Sequence, residues 1–145
     1  MSELDALERA ATALMRRLGD RAAVGEIAAR AGCTLPTTSI LLLEHLEDAG
    51  PRRVSQIAEC QNVGMPAVTP RLKDLEREGF VTRSADPSDA RVSLISLSPA
   101  GLEVLGRLRA ARCAVLAEAL SNVDRSVVAS AAAALEMVGR ALDRR

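Results

Sequence analysis

Along most of this chain apolar residues recur every three or four positions, and in one stretch the spacing changes to alternation. Leu4, Leu7, Ala11, Leu14 and Leu18 step along one face of a helix. Ile40, Leu42, Leu43 and Leu46 supply the buried face of a second one. Between Phe80 and Leu97 the helical period is lost. Phe80-Val-Thr-Arg83 is strand-like, and Val92 to Leu97 has apolar residues on both faces. Asp86-Pro-Ser-Asp89 between them is a turn by composition. A chain with one alternating stretch cannot build a large sheet. It predicts a mainly α protein with one small β-hairpin.

Punctuation residues divide the rest. Gly19 and Gly25 predict a bend or break in the first thirty residues, and Gly32 a helix end. Thr34-Leu-Pro36 reads as a helix start with proline near the first turn, and Gly50-Pro51 as its stop. Arg52 to Val54 fits a turn or a minimal strand. Ser55 caps a short helix from Gln56 to about Cys60, with Ile57 inward. A further helix ends at Gly79. Ser98-Pro99 opens a long helix to about Leu120. Ser121 and Asp124 have the spacing of a capping box before a last helix, where Val128, Leu135 and Leu142 recur every seven residues. The order predicts a winged helix-turn-helix over residues 35–97. Residues 1–31 and 98–145 form flanking dimerisation helices, all in one domain of 145 residues.

Composition removes several function classes. The formal net charge is zero, from 19 basic and 19 acidic side chains, which excludes a histone-like basic protein. One Phe and no Tyr or Trp argue against base-stacking modules and aromatic-lined pockets. Glu3, Asp5 and Glu8 precede any apolar stretch, unlike an export signal, and no run approaches a membrane span. Three scattered cysteines predict a reducing, cytoplasmic setting.

The helix ending at Gly79 carries the chemistry. At about 100° per residue, Val68, Leu72, Leu75 and Gly79 share the inward face. Pro66, Thr69, Pro70, Lys73 and Arg77 share the opposite one, with Asp74, Glu76 and Glu78 on the flanks. A helix read into a DNA groove needs this layout, although a solvated amphipathic face has it too. Charge alone does not decide, since residues 52–91 hold seven bases and six acids. Pro70 either kinks this helix or, with Thr69 as N-cap, begins it. Beyond it, Arg83 and Arg91 flank the hairpin turn, where long cations can enter a minor groove. Asp89 is placed to orient Arg91. An exposed turn with a weak ion pair is the plain alternative.

From Gly32 to Gly101 the chain resembles the MarR family of winged-helix transcription regulators. The resemblance rests on four stretches: Ala67 to Glu76, Gly79-Phe-Val-Thr-Arg83, Asp86-Pro-Ser-Asp-Ala-Arg91 and Leu97-Ser-Pro-Ala-Gly101. It implies a two-fold homodimer on double-stranded DNA, with Thr69 on the recognition helix and Asp89 and Arg91 on the wing. Ala90 replaces the middle arginine of the family's wing triplet, and Pro70 an arginine after the threonine. Thr-Pro is a pairing of the hydroperoxide-sensing subgroup. That subgroup's N-terminal cysteine and tyrosine partners are absent here. A small organic effector is implied by the resemblance only, in a crevice with Arg16 or Arg17 nearby.

Other chemistry finds little support. Cys33, Cys60 and Cys113 read as small apolar core or interface residues, and His45 as a surface or partly buried helix residue. One histidine and scattered cysteines do not make a metal site. No nucleophile motif, phosphate loop or carboxylate pair indicates an enzyme, and no cofactor is expected. The sequence therefore predicts a homodimeric repressor on a pseudo-palindromic operator, contacting DNA through Pro66, Thr69, Pro70, Lys73, Arg77, Arg83, Asp89 and Arg91. The rival is a winged-helix protein-interaction module without specific DNA binding.

Overall fold

The computed structural model describes residues 1–144. Its elements run α1 (Glu3–Leu18), α2 (Arg21–Ala31), α3 (Thr37–Ala49), β1 (Arg52–Arg53), α4 (Val54–Cys60), α5 (Met65–Arg77), β2 (Val81–Asp86), β3 (Asp89–Leu97), α6 (Pro99–Ala119) and α7 (Arg125–Leu142). Two compact units divide the chain after Ala111. The expected mainly α architecture with a small sheet is present. The hairpin is joined by Arg52–Arg53, the minimal strand, so the antiparallel sheet has three strands in the order β1-β3-β2. Among the described residues no helix is long and apolar enough to cross a membrane.

The first unit closes around one core. Leu42, Leu43 and Leu46 of α3, Ile57 of α4, and Val68, Leu72 and Leu75 of α5 are all buried. Val81 and Ile95 of the sheet and Val104, Leu105 and Leu108 of α6 complete it. Each such side chain contributes about 1.5–3 kcal/mol of burial free energy. The expected break falls at Gly19, where Asp20 caps α2 by accepting from the backbone of Ala22 and Ala23. Gly25 lies inside α2.

Several helix starts differ from expectation. Pro36 is itself the N-cap of α3: its φ of −59° suits a helix, but its ψ of 148° is extended. α4 begins at Val54, not after Ser55. Gln56 Oε1 accepts the Arg53 N–H at 2.9 Å and so closes the first turn two residues earlier. Pro70 lies inside α5, and Gly64 rather than Thr69 is the N-cap, which excludes the start at Thr69. In the second unit Asp124 is the N-cap of α7, accepting from the Ser126 N–H at 2.7 Å. The expected Ser121–Asp124 box is therefore not formed. Both α1 and α7 leave leucine and methionine side chains exposed, among them Leu4, Met15, Leu135 and Met137. Neither helix has a buried residue.

Candidate nucleic-acid interface

α5 is held at both ends by backbone geometry. The preceding turn places Asn62 in the left-handed region at φ 53°, letting Val63 N–H reach the Ala58 carbonyl at 3.1 Å. At the other end Gly79 takes φ 84°. The Phe80 N–H then reaches the Leu75 carbonyl at 2.9 Å and the Gly79 N–H reaches Glu76 at 3.1 Å. Ser98 locks this end to α6. Its hydroxyl donates to the Gly79 carbonyl and accepts the Gly101 N–H at 3.0 Å, while its own N–H bonds the Phe80 carbonyl at 3.1 Å. The Leu97-Ser-Pro-Ala-Gly101 stretch thus fixes how the helix end, the wing strand and α6 meet.

With Val68, Leu72 and Leu75 buried, Pro66, Pro70, Lys73 and Arg77 are exposed and Thr69 is half-buried beside them. Pro70 leaves the Pro66 carbonyl without its helical donor, on this same exposed face. The flanking acids engage two of the cations. Asp74 accepts from Arg77 at 2.9 Å, and Glu76 accepts from Arg83 of β2 at 3.3 Å. Lys73 makes no ion pair among the described residues. It is the single lysine of the sequence.

The wing tip is tighter than its composition predicts. Both strands run on to a two-residue Pro87–Ser88 connection, so Asp86 pairs directly with Asp89. Two carboxylates face to face repel, and each is met by an arginine. Arg53 of β1 donates from Nε to Asp86 at 2.7 Å and from its second nitrogen to Ser88 Oγ at 3.2 Å. Arg91 donates to Asp89 from its backbone and Nε, both at 3.1 Å. Hydrogen bonds from the Ser88 backbone and hydroxyl hold the Asp86 carboxyl below the ordinary value of 3.8, against the effect of its burial and with help from Arg53. Asp89 is lowered first by the hydrogen bonds from Arg91.

The register slips between Ala85 and Asp86, and Ala90, Arg91 and Val92 fall outside the regular pairing. Such a bulge re-aims side chains, and the Arg91 side chain is 91% exposed although its head is tethered to Asp89. Thus α5 and the wing each present cations, with Arg83 linking them through Glu76. Sequence reasoning missed Arg53. It lies 33 residues from Asp86, and no local pattern marks the pair.

At the α1–α2 junction Arg16, Arg17, Asp20 and Ala23 line an open cavity of about 480 Å³. Of the cysteines, Cys33 is buried as expected, but Cys60 and Cys113 are exposed. Cys60 ends α4 and contacts His45 of α3, outside the hydrophobic core.

Comparison with known proteins gives one family. The model of the MarR family matches residues 35–93. "Uncharacterized HTH-type transcriptional regulator YxaD" of Bacillus subtilis is 35% identical over 71 residues, 49% of this chain and 50% of the relative. The chain thus spans about half the length of the curated relatives it matches. The transcriptional regulator Tm0710 from Thermotoga maritima superposes with TM-score 0.75 at 20% identity, covering 97% of this chain and 96% of that one. A MarR family protein from Bacillus stearothermophilus also gives TM-score 0.75 at 20% identity, covering 97% and 94%. Both structures share the fold. The winged-helix segment of this chain, residues 35–93, is similar to the MarR family.

Proposed function

We propose that this chain is a sequence-specific DNA-binding transcription regulator acting in the cytoplasm as a homodimer. α5 enters the major groove with Pro66, Thr69, Pro70, Lys73 and Arg77 towards the bases and phosphates. Arg91, oriented by Asp89, enters the adjacent minor groove, and Arg83 contacts phosphate. The observation that carries this reading is the coincidence of two cationic elements. Lys73 is exposed and unpaired among the described residues on α5, and Arg91 projects from a bulge at the wing tip. The exposed apolar residues of α1, and separately those of α7, are left for a second copy to cover. On this reading the protein represses by occupying a pseudo-palindromic operator with half-sites about one helical turn apart. A small organic molecule releases it.

One observation favours the rival protein-interaction module. Arg77 and Arg83 are both paired with acids within the chain, which lowers the positive field a phosphate would meet. Selection of the purified protein on a random duplex library at near-physiological salt separates the two. An enriched inverted repeat supports the regulator. Recovery of no sequence above background refutes it.

A further inference from the structure

His45 and Cys60 lie 15 residues apart in sequence, yet the Cys60 Sγ is 3.2 Å from His45 Nδ1. The other ring nitrogen, Nε2, is buried and has no hydrogen-bond partner among the described residues. A buried unpaired polar atom is destabilising, and a leucine would not carry that cost. The imidazole is therefore a costly side chain whose one engaged nitrogen serves the thiol. With the ring proton on Nε2, Nδ1 accepts the S–H. This is the arrangement of a nucleophile with its base.

The pair borders a cavity of about 320 Å³ that Thr38, Leu41, Gln61, Val63 and Arg71 complete. That volume is at the small end for a ligand pocket. Leu41 and Val63 form an exposed apolar wall, 54% and 41% accessible. In the same lining Arg71 donates to Gln61 Oε1 at 3.1 Å and retains further N–H donors.

We propose that Cys60 is a site of covalent addition for small α,β-unsaturated carbonyl compounds, with His45 as its base. His45 Nδ1 takes the thiol proton, and the sulfur bonds to the β-carbon. The C=C electron pair moves onto the carbonyl oxygen as an enolate, which Arg71 stabilises. The proton on His45 then returns to the α-carbon. An S–H bond and a C=C π bond are exchanged for an S–C and a C–H bond, and no oxidant or leaving group takes part. Cys60 ends α4, where the helix dipole gives a thiolate no support, so reactivity depends on His45. The adduct occupies the space beside Arg71, which belongs to α5. Resting on the function proposed above, this couples modification to DNA binding by displacing the Arg71–Gln61 hydrogen bond.

The test treats the full chain with N-ethylmaleimide and follows each cysteine by peptide mass. Cys113 is exposed and serves as an internal reference. Cys60 is expected to react at least tenfold faster than Cys113, and equal rates overturn the site. His45→Gln should slow Cys60 at least tenfold and leave Cys113 unchanged, and an unaltered Cys60 rate overturns the role of the base. Arg71→Ala, a milder change, should slow Cys60 a few-fold, so the assignment stays testable if the His45 variant misfolds. Cys113→Ser protein alkylated at Cys60 should lose at least tenfold in affinity for its selected duplex. Full affinity after alkylation overturns the coupling. Failure of the unmodified protein to bind any duplex defeats the proposed function instead, while the rate ratio still decides the site.

Discussion

Gly101 is where the wing strand, the end of α5 and α6 come closest, and Gly101→Ala tests whether that junction is as rigid as its hydrogen bonds imply. A Cβ there would stand 2.3 Å from the Phe80 carbonyl oxygen and 2.9 Å from Leu97 Cδ2. The leucine methyl can rotate away. The Phe80 carbonyl cannot, because it accepts the Ser98 N–H at 3.1 Å while the Phe80 N–H is held by Leu75 at 2.9 Å. The approach must open from 2.3 Å to at least 3.0 Å, which shifts α6 or breaks the junction. Overpacking of this kind costs about 3 kcal/mol at the upper end of its usual range. Alanine returns about 1 kcal/mol of helix propensity. The expected net loss is about 2 kcal/mol, or roughly 6 °C in Tm for a chain of this size. Gly106→Ala is the control, since nothing lies within 4 Å of its Cβ position on the same helix. It should gain up to about 1 kcal/mol. Urea unfolding followed by circular dichroism at one protein concentration measures both. Equal stability of the two variants would refute the rigid junction.

Other expectations concern the interface and the wing. Arg91→Ala should weaken duplex binding across sequences and flatten its salt dependence, and an unchanged slope in a salt titration would remove Arg91 from the phosphate-rich groove. Lys73→Ala should cost about 1–3 kcal/mol of affinity or alter base preference. As the single lysine, Lys73 can also be followed by acetylation with and without duplex, and equal labelling would place it outside the contact. The Asp86 carboxyl titrates lower when folded than unfolded, so its stabilisation is complete above about pH 4 and is lost as pH falls through its lowered value. Asp86→Asn should therefore flatten the acid side of the stability profile, read by thermal melts from pH 2 to pH 6 as a test range (roughly the span over which a carboxylate titrates). Pro70→Ala restores a backbone bond to the Pro66 carbonyl and should stabilise α5 by about 1–3 kcal/mol, checked by the same urea unfolding.

The order of elements and the face of α5 were legible in the sequence because both follow from local periodicity. Val68, Leu72 and Leu75 are inward by spacing alone, and burial of that face sends Lys73 and Arg77 outward whatever the neighbours are. Capping was read less well. Ser55 and Ser121 carry good capping side chains, yet Gln56 and Asp124 make the bonds, since a cap depends on where the backbone turns. The place of Pro70 inside the helix was likewise open, because its cost of about 3 kcal/mol can be met by packing that the sequence does not display.

By itself the sequence determined a mainly α chain with a single hairpin, the outward cations of α5, and the pairing of Asp89 with Arg91 two residues away. All of these depend on residues within a few positions of each other, where chain geometry leaves little choice. Tertiary structure alone decided the tether of Arg53 to Asp86, the bulge that carries Arg91, the clasp of Ser98 on Gly79 and the meeting of His45 with Cys60. Those contacts join distant segments. Their partners are chosen by how the helices and strands pack around the buried leucines, and no spacing along the chain records that choice.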